Sequence, residues 1–384
     1  MEKTKKIKIL QDLVRIKSIN GNELAIAKYF SNLLQEYGIK SKIIPLNDND
    51  QRANLIVEIG KNNNRVLGFT GHADTVAVVN ENDWYFPPFS GTIEGNRLYG
   101  RGAADMKSGL AAEIISLIEL VETNQVPDGK VRMIMTVGEE FGAPGAYQIP
   151  EELIKDLDAL VVGEATDGNI TYAHSGSLNY RIKSSGKSVH SSTPALGLNA
   201  IQGLVTFINT EKNIFNNVAK DTVLGNVQHS ITVIEGGNQI NTIPAEASLL
   251  GNVRPTPSFN NKQVIALLKQ QIAKINKQTD YQLKFELLHN FYSIYTSQSD
   301  NFIQSAFAIS NAVYQNRDIK LIVDNGASDA SVFVQTNPQM PVLLLGPDKE
   351  GSSHQINEHT TISSYLGTIE IYKNLILNYF SKTN

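Results

Sequence analysis

Four short apolar runs organise this chain, and each stops at a glycine. Val66-Leu67-Gly68-Phe69-Thr70 leads to Gly71, Met133-Ile134-Met135-Thr136-Val137 to Gly138, Leu160-Val161-Val162 to Gly163, and Val342-Leu343-Leu344-Leu345 to Gly346. Such runs read as buried strands closed by glycine turns. In open α/β sheets the carboxyl ends of the strands line one crevice, so groups far apart in sequence can converge there.

Helical patterns fill the gaps between these strands. Residues 1–14 read as an amphipathic first helix, Glu23 to Tyr37 as a second that stops at Gly38, Leu55 to Ile59 as a strand, and Leu110 to Glu122 as an apolar helix. From about Ser175 to Leu288 the pattern changes. Strands are expected around Tyr180 to Lys183, Ser230 to Ile234 and Ala247 to Val253, with helices near Leu198 to Ile208 and Gln263 to Lys277. The α/β character then returns, with a last helix near Ser363 to Phe380. The expected fold class is therefore α/β in two domains: residues 1–175 and 291–384 form one, split around an inserted α+β unit at 176–290.

Composition narrows the functional classes. With 384 residues the chain exceeds the usual single-domain length, and 41% hydrophobic residues can build a full core. A net charge of −4 with scattered Lys and Arg leaves no basic footprint, so neither nucleic acid nor an anionic membrane surface is an expected partner. The absence of cysteine removes disulfides, a thiol nucleophile and thiolate ligands together. Charges interrupt the N-terminal apolar positions before a signal core could form, and no run approaches the ~18 residues of a membrane span. The expected location is cytoplasmic.

Metal-binding side chains recur just past the apolar runs: His72 and Asp74, Glu139 and Glu140, Glu164, and His354. Asp105 joins them from the loop Gly100-Arg101-Gly102-Ala103-Ala104-Asp105-Met106-Lys107-Ser108-Gly109. Imidazole with carboxylates and no sulfur suits zinc, with cobalt or manganese possible. The set exceeds what one catalytic zinc needs and matches two ions sharing a carboxylate. Two ions ~3.5–4 Å apart can lower the pKa of a shared water towards ~7 and polarise a carbonyl oxygen, which implies hydrolysis of an amide or peptide bond. Adjacent residues leaving a strand point in opposite directions, so one of Glu139 and Glu140 can bind metal while the other serves as general base. Gly100-Arg101-Gly102 lacks the Lys-Ser/Thr ending of a phosphate loop. No Gly-x-Ser-x-Gly elbow supports a serine hydrolase.

The segments Gly71-His72-Ala73-Asp74-Thr75-Val76, Tyr99 to Gly109, Gly138-Glu139-Glu140, Gly163-Glu164-Ala165-Thr166 and His354-Gln355-Ile356-Asn357-Glu358 together resemble the M20 metallopeptidase family. The likeness runs from about Ile9 to Tyr379. It implies a zinc-peptidase-like catalytic domain and an inserted dimerisation domain that serves as a lid. It implies two Zn²⁺ ions, one held by His72, Asp105 and Glu164 and the other by Asp105, Glu140 and His354. Asp74 would orient His72, Glu139 would be the general base, and His190 would reach the partner's site in a homodimer to stabilise the oxyanion. Asn241, Arg254, Gly326 and Ser328 fall where substrate would bind, Arg254 offering a fork for a carboxylate. His174 and Ala327 depart from the arginine and threonine that the best-known desuccinylases of the family carry. The implied substrate is an N-acyl amino acid or short peptide. Removal of succinate from N-succinyl-diaminopimelate ranks first, an acetylornithine-type deacylase second, and a dipeptidase or aminoacylase third. A member that only binds ligand is a further alternative, but neither Glu139 nor any metal ligand is missing.

Overall fold

Strands from the four apolar runs lie side by side and parallel in one sheet. Lys130–Thr136, Val66–His72, Ala159–Val162 and Val342–Leu344 are consecutive neighbours, so their carboxyl ends share one edge. The computed structural model describes residues 1–381 apart from Asp48, Lys212 and Lys349. Among these, the sheet has nine strands: Ser41–Pro45 and Ala53–Gly60 extend it antiparallel on one side, and Ile170–His174, Ile294–Tyr295 and Leu321–Asp324 on the other. Every residue of Val66–His72 is buried, as continuous apolar runs in a parallel sheet require.

From Val66–His72 the chain passes through helix Ser108–Glu122 to the neighbour on one side, Lys130–Thr136. It then crosses to the neighbour on the other side, Ala159–Val162, which makes His72 the end of the strand where the winding reverses. That reversal opens the crevice at the carboxyl ends. Helices Ser108–Glu122 and Ile362–Ser381 cover the sheet, the Phe69 ring meeting Tyr372 edge-on at 5.3 Å and Ser116 Oγ donating to Ile369 O at 3.1 Å. Such an aromatic pair contributes about 0.5–1.5 kcal/mol beyond its buried area. Gly109 lets the first of these helices start against the sheet: a Cβ there would stand 1.8 Å from Gly163 O.

The chain divides into two units. The first comprises Met1–Tyr172, Tyr295–Ile322 and Ser328–Asn384, and the second Ala173–Ile294 with Val323–Ala327. The second is an antiparallel sheet in the order Gln228–Gly236, Glu246–Arg254, Ser177–Ser185, Gln282–Phe291, packed on helices Ala200–Glu211 and Asn261–Gln278. Leu178, Tyr180 and Ile182 alternate inward to meet Leu204, Phe207 and Leu268 in its core, while Asn179, Arg181 and Lys183 face away. The helix expected from Gln263 begins two residues earlier because Asn260 and Gln263 form a reciprocal capping box. The bounds differ from 176–290 in one instructive place. Val323–Ala327 joins the second unit, since Asp324 O accepts Ser175 N at 3.1 Å and Ser175 Oγ donates to Asn325 Oδ1 at 3.4 Å.

Burial, with the Arg254 charge nearby, lowers His289 in this second unit to about 4. Unfolded, it titrates near ~6.5, so between these values the unfolded chain binds more protons. The stability is present in full above ~6.5 and is lost as pH falls towards 4. The urea midpoint of the wild type should therefore drop relative to that of His289→Gln across this window. Parallel pH profiles would contradict the assignment.

Candidate metal centre

The reversal strand delivers its last residue, His72, buried at 1% exposure. Its Nδ1 lies 3.1 Å from the main-chain O of Asp74, which leaves Nε2 to face the crevice. There Nε2 meets Asp105 Oδ1 at 3.1 Å and Glu164 Oε1 at 3.6 Å. Opposite, His354 Nε2 meets Asp105 Oδ2 at 3.2 Å and Glu140 Oε1 at 2.7 Å. The two oxygens of Asp105 thus serve two imidazoles, with one further carboxylate beside each. His72, Asp105 and Glu140 also offer ligand atoms within 4.8 Å of one another.

Three supports hold this geometry. Asp74, fully buried, accepts the backbone N–H groups of Gly138 at 2.7 Å, Glu139 at 3.1 Å and Glu140 at 3.2 Å. Glu139 and Glu140 were expected to diverge as the chain left a strand. They lie instead in the single helical turn Glu139–Phe141, because Gly138 takes φ 77° and the Asp74 carboxylate gathers the turn's N–H groups. Asp74 Oδ1 is 3.5 Å from His72 Nδ1, so its carboxylate holds the turn more directly than it holds the imidazole. In the second support, Glu358 Oε1 accepts Ala104 N at 3.0 Å and Asp105 N at 3.1 Å, while its Oε2 takes Arg101 Nη1 at 2.6 Å. Arg101 also reaches His354 O at 3.4 Å and lies over the ring of Trp84, which is buried as a packing anchor. In the third, buried Lys107 donates to Leu13 O at 3.0 Å and Ile16 O at 2.8 Å, fixing the Asp105 loop to the end of helix Lys3–Arg15.

Glu358 and Arg101 stand in the motifs quoted above, yet their role is not visible in the sequence. Their contact spans a separation of 257 residues that no local spacing reveals. Asp329, which closes the segment Gly326-Ala327-Ser328-Asp329, is buried, one carboxylate oxygen held by Thr136 and the other without a partner among the described residues. Its carboxyl is raised to about 6, chiefly by burial.

The electrostatics follow from the crowding. Burial works against ionised Asp105, but His354 and His72 more than offset it and hold its carboxyl well below the usual range. In return, Asp105 and Glu140 push His354 up to about 10. Burial raises Glu139 well above the ordinary carboxylate value; His72 opposes this, while Asp329, Glu164 and Glu140 add to it. Glu139's carboxylate makes no hydrogen bond among the described residues, beside a cluster of carboxylates whose charge a divalent cation would balance. The donor set, imidazole nitrogens and carboxylate oxygens facing one another, fits a pair of borderline-to-hard ions.

The other expected site residues lie largely in the second unit. His190 and Asn241 are neighbours, since Val189–His190 pairs with Thr242–Ile243 and Ser191 N donates to Asn241 O at 2.9 Å. His190 is exposed, its Nδ1 2.7 Å from Ser192 Oγ. Arg254 ends the strand Glu246–Arg254 without an ion-pair partner among the described residues. Gly326 belongs to the returning segment, whereas Ser328 is buried in the first unit.

This fold and this cluster define a class, the two-unit α/β hydrolases that act on amide bonds. The chain belongs to peptidase family M20/M25/M40, whose profile matches residues 68–378. It is 33% identical over 98% of its length to a protein of Staphylococcus aureus named a "Probable succinyl-diaminopimelate desuccinylase", 98% of which is covered. Among solved structures it is similar to an M20 family metallo-carboxypeptidase from Sulfolobus solfataricus, with a TM-score of 0.81, 19% identity and 99% of both chains covered. It is also similar to a dinuclear metal-binding M20 peptidase from Bacillus subtilis, with a TM-score of 0.71, 17% identity and again 99% of both chains covered. At these identities the two structures establish the fold.

Glu358 reaches the candidate metal centre through Asp105. Glu358→Gln should therefore weaken metal binding by roughly 10–100-fold in calorimetric titration, the usual cost of removing a partner that orients a ligand. Unchanged affinity would show that the Asp105 loop holds its geometry without this carboxylate.

Proposed function

We propose that this chain is a two-zinc amidohydrolase that removes the succinyl group from N-succinyl-LL-2,6-diaminopimelate, yielding succinate and LL-2,6-diaminopimelate in lysine biosynthesis. The observation that carries the hydrolytic part is the Asp105 carboxylate shared between His72 and His354, each imidazole with its own further carboxylate. The desuccinylase part is supported by the curated relative at 33% identity over nearly the whole chain. Cobalt or manganese would suit the same donors.

His72, Asp105 and Glu164 would hold one ion, and Asp105, Glu140 and His354 the other. Bound there, the ions would supply an activated water and a Lewis acid for the scissile carbonyl. Glu139, raised by its surroundings and free of hydrogen bonds among the described residues, would take the proton from the attacking water and pass it to the leaving amine. His190 would donate to the developing oxyanion in the partner subunit of a cytoplasmic homodimer. Beside it Asn241 would bind substrate, as would Gly326 and Ser328. A succinyl group carries one more carboxylate than an acetyl group, and Arg254, without an ion-pair partner among the described residues, would receive a substrate carboxylate through its planar fork.

Turnover of zinc-reconstituted protein on N-succinyl-diaminopimelate and N-acetylornithine, side by side with a chelated control, tests this reading. Preference for the succinyl substrate is expected. Preference for acetylornithine, or activity on dipeptides alone, would overturn the substrate assignment. Glu139→Ala should keep both metals and the fold while losing turnover by on the order of 10²–10⁴-fold. Loss of metal together with activity would mean that the base and ligand roles are misassigned.

A further inference from the structure

Directly behind the ligand cluster lies an acid that the chemistry above does not use. Glu113 projects from helix Ser108–Glu122, is 1% exposed, and has no hydrogen-bond partner on either carboxylate oxygen among the described residues. It is wedged between the ends of two sheet strands. A Cβ on Gly163 would stand 2.7 Å from Glu113 Oε1, and one on Gly71 3.4 Å from Oε2. These two glycines immediately precede Glu164 and His72. The Met106 methyl closes the same space, 3.0 Å from the first of those positions and 2.4 Å from the second.

A carboxylate in a dry interior with no donor is strongly unfavourable unless it stays neutral or a nearby cation balances it. Burial, with the charge of Glu164 adding to it, pushes the Glu113 carboxyl well above its ordinary range. No cationic side chain forms an ion pair with it among the described residues. The ligands His72, Asp105 and Glu164 each stand one residue from the Gly71, Met106 and Gly163 that enclose Glu113, so positive charge held among them would act on it through a dry interior, where a low dielectric strengthens the interaction.

We propose that Glu113 is a positioning acid that couples metal loading to the stability of the first unit, weakening the metal-free fold and strengthening retention of the metals. The two effects are linked, because any group that favours the loaded state over the metal-free one must raise metal affinity to the same degree. This inference rests on the metal-site reading above.

The test uses the full-length protein with Glu113→Met, apolar and of similar length, and Glu113→Gln, neutral and of the same shape. Thermal midpoints would be measured after chelation and with excess zinc, and zinc affinity by calorimetry against a competing chelator. Glu113→Met should raise the metal-free midpoint and shrink the rise that zinc produces. Both variants should bind zinc about ten-fold more weakly. Equal midpoint shifts with and without zinc, with unchanged affinity, would make Glu113 a packing residue only and overturn the proposal. So would a lower metal-free midpoint in Glu113→Met. A wild type that takes up no zinc would sink the metal-site reading itself, a result distinguishable from the failure of Glu113's role.

Discussion

The first unit is built around one carboxylate that two imidazoles share. Asp105 stands 3.1 Å from His72 Nε2 and 3.2 Å from His354 Nε2, with Glu164 and Glu140 beside the two rings. Carboxylates gathered this closely repel one another and lose hydration, so the cluster persists only with positive charge among them. The scaffold accepts that cost by making the positions inflexible. His72 ends a strand buried along its whole length, Asp74 clamps the Glu139–Phe141 turn, and Glu358 fixes the backbone that presents Asp105. His354 is held at φ 62°, a left-handed conformation that costs a non-glycine residue about 1–3 kcal/mol and recurs where function sets the geometry.

Much of this was legible from the chain because the physics was local. Apolar runs closed by glycine mark strands of a buried sheet, and a ligand-type residue after each run marks the edge where they converge. The inserted α+β unit was legible from the change in strand character after Ser175. Residues that act by long-range contact were less accessible. Glu358 and Arg101 meet over 257 residues, and nothing in the spacing around either one names the other. Glu113 sits in an apolar helix pattern where a single acid reads as surface, yet it is 1% exposed. The Glu139-Glu140 pair sits in a clamped helical turn rather than at a strand exit, since the two share the same glycine signal.

The residues proposed to meet substrate lie mostly in a different part of the molecule. The ligand cluster lies wholly within the first unit, whereas His190, Asn241, Arg254 and Gly326 belong to the second. His190 and Arg254 end strands of the second unit and Asn241 lies in a connection, all outside the inward row of Leu178, Tyr180 and Ile182. A family that keeps the first set and varies the second can change substrate without rebuilding its core.

If Asp105 is the ligand shared by two metal ions, as proposed above, metal stoichiometry will show it. Calorimetric titration of chelated protein with zinc should give two ions per chain for the wild type, while Asp105→Ala should lose tight binding of both together. An Asp105→Ala protein that still binds two ions with wild-type affinity, or a wild type that binds a single ion, would rule the shared ligand out.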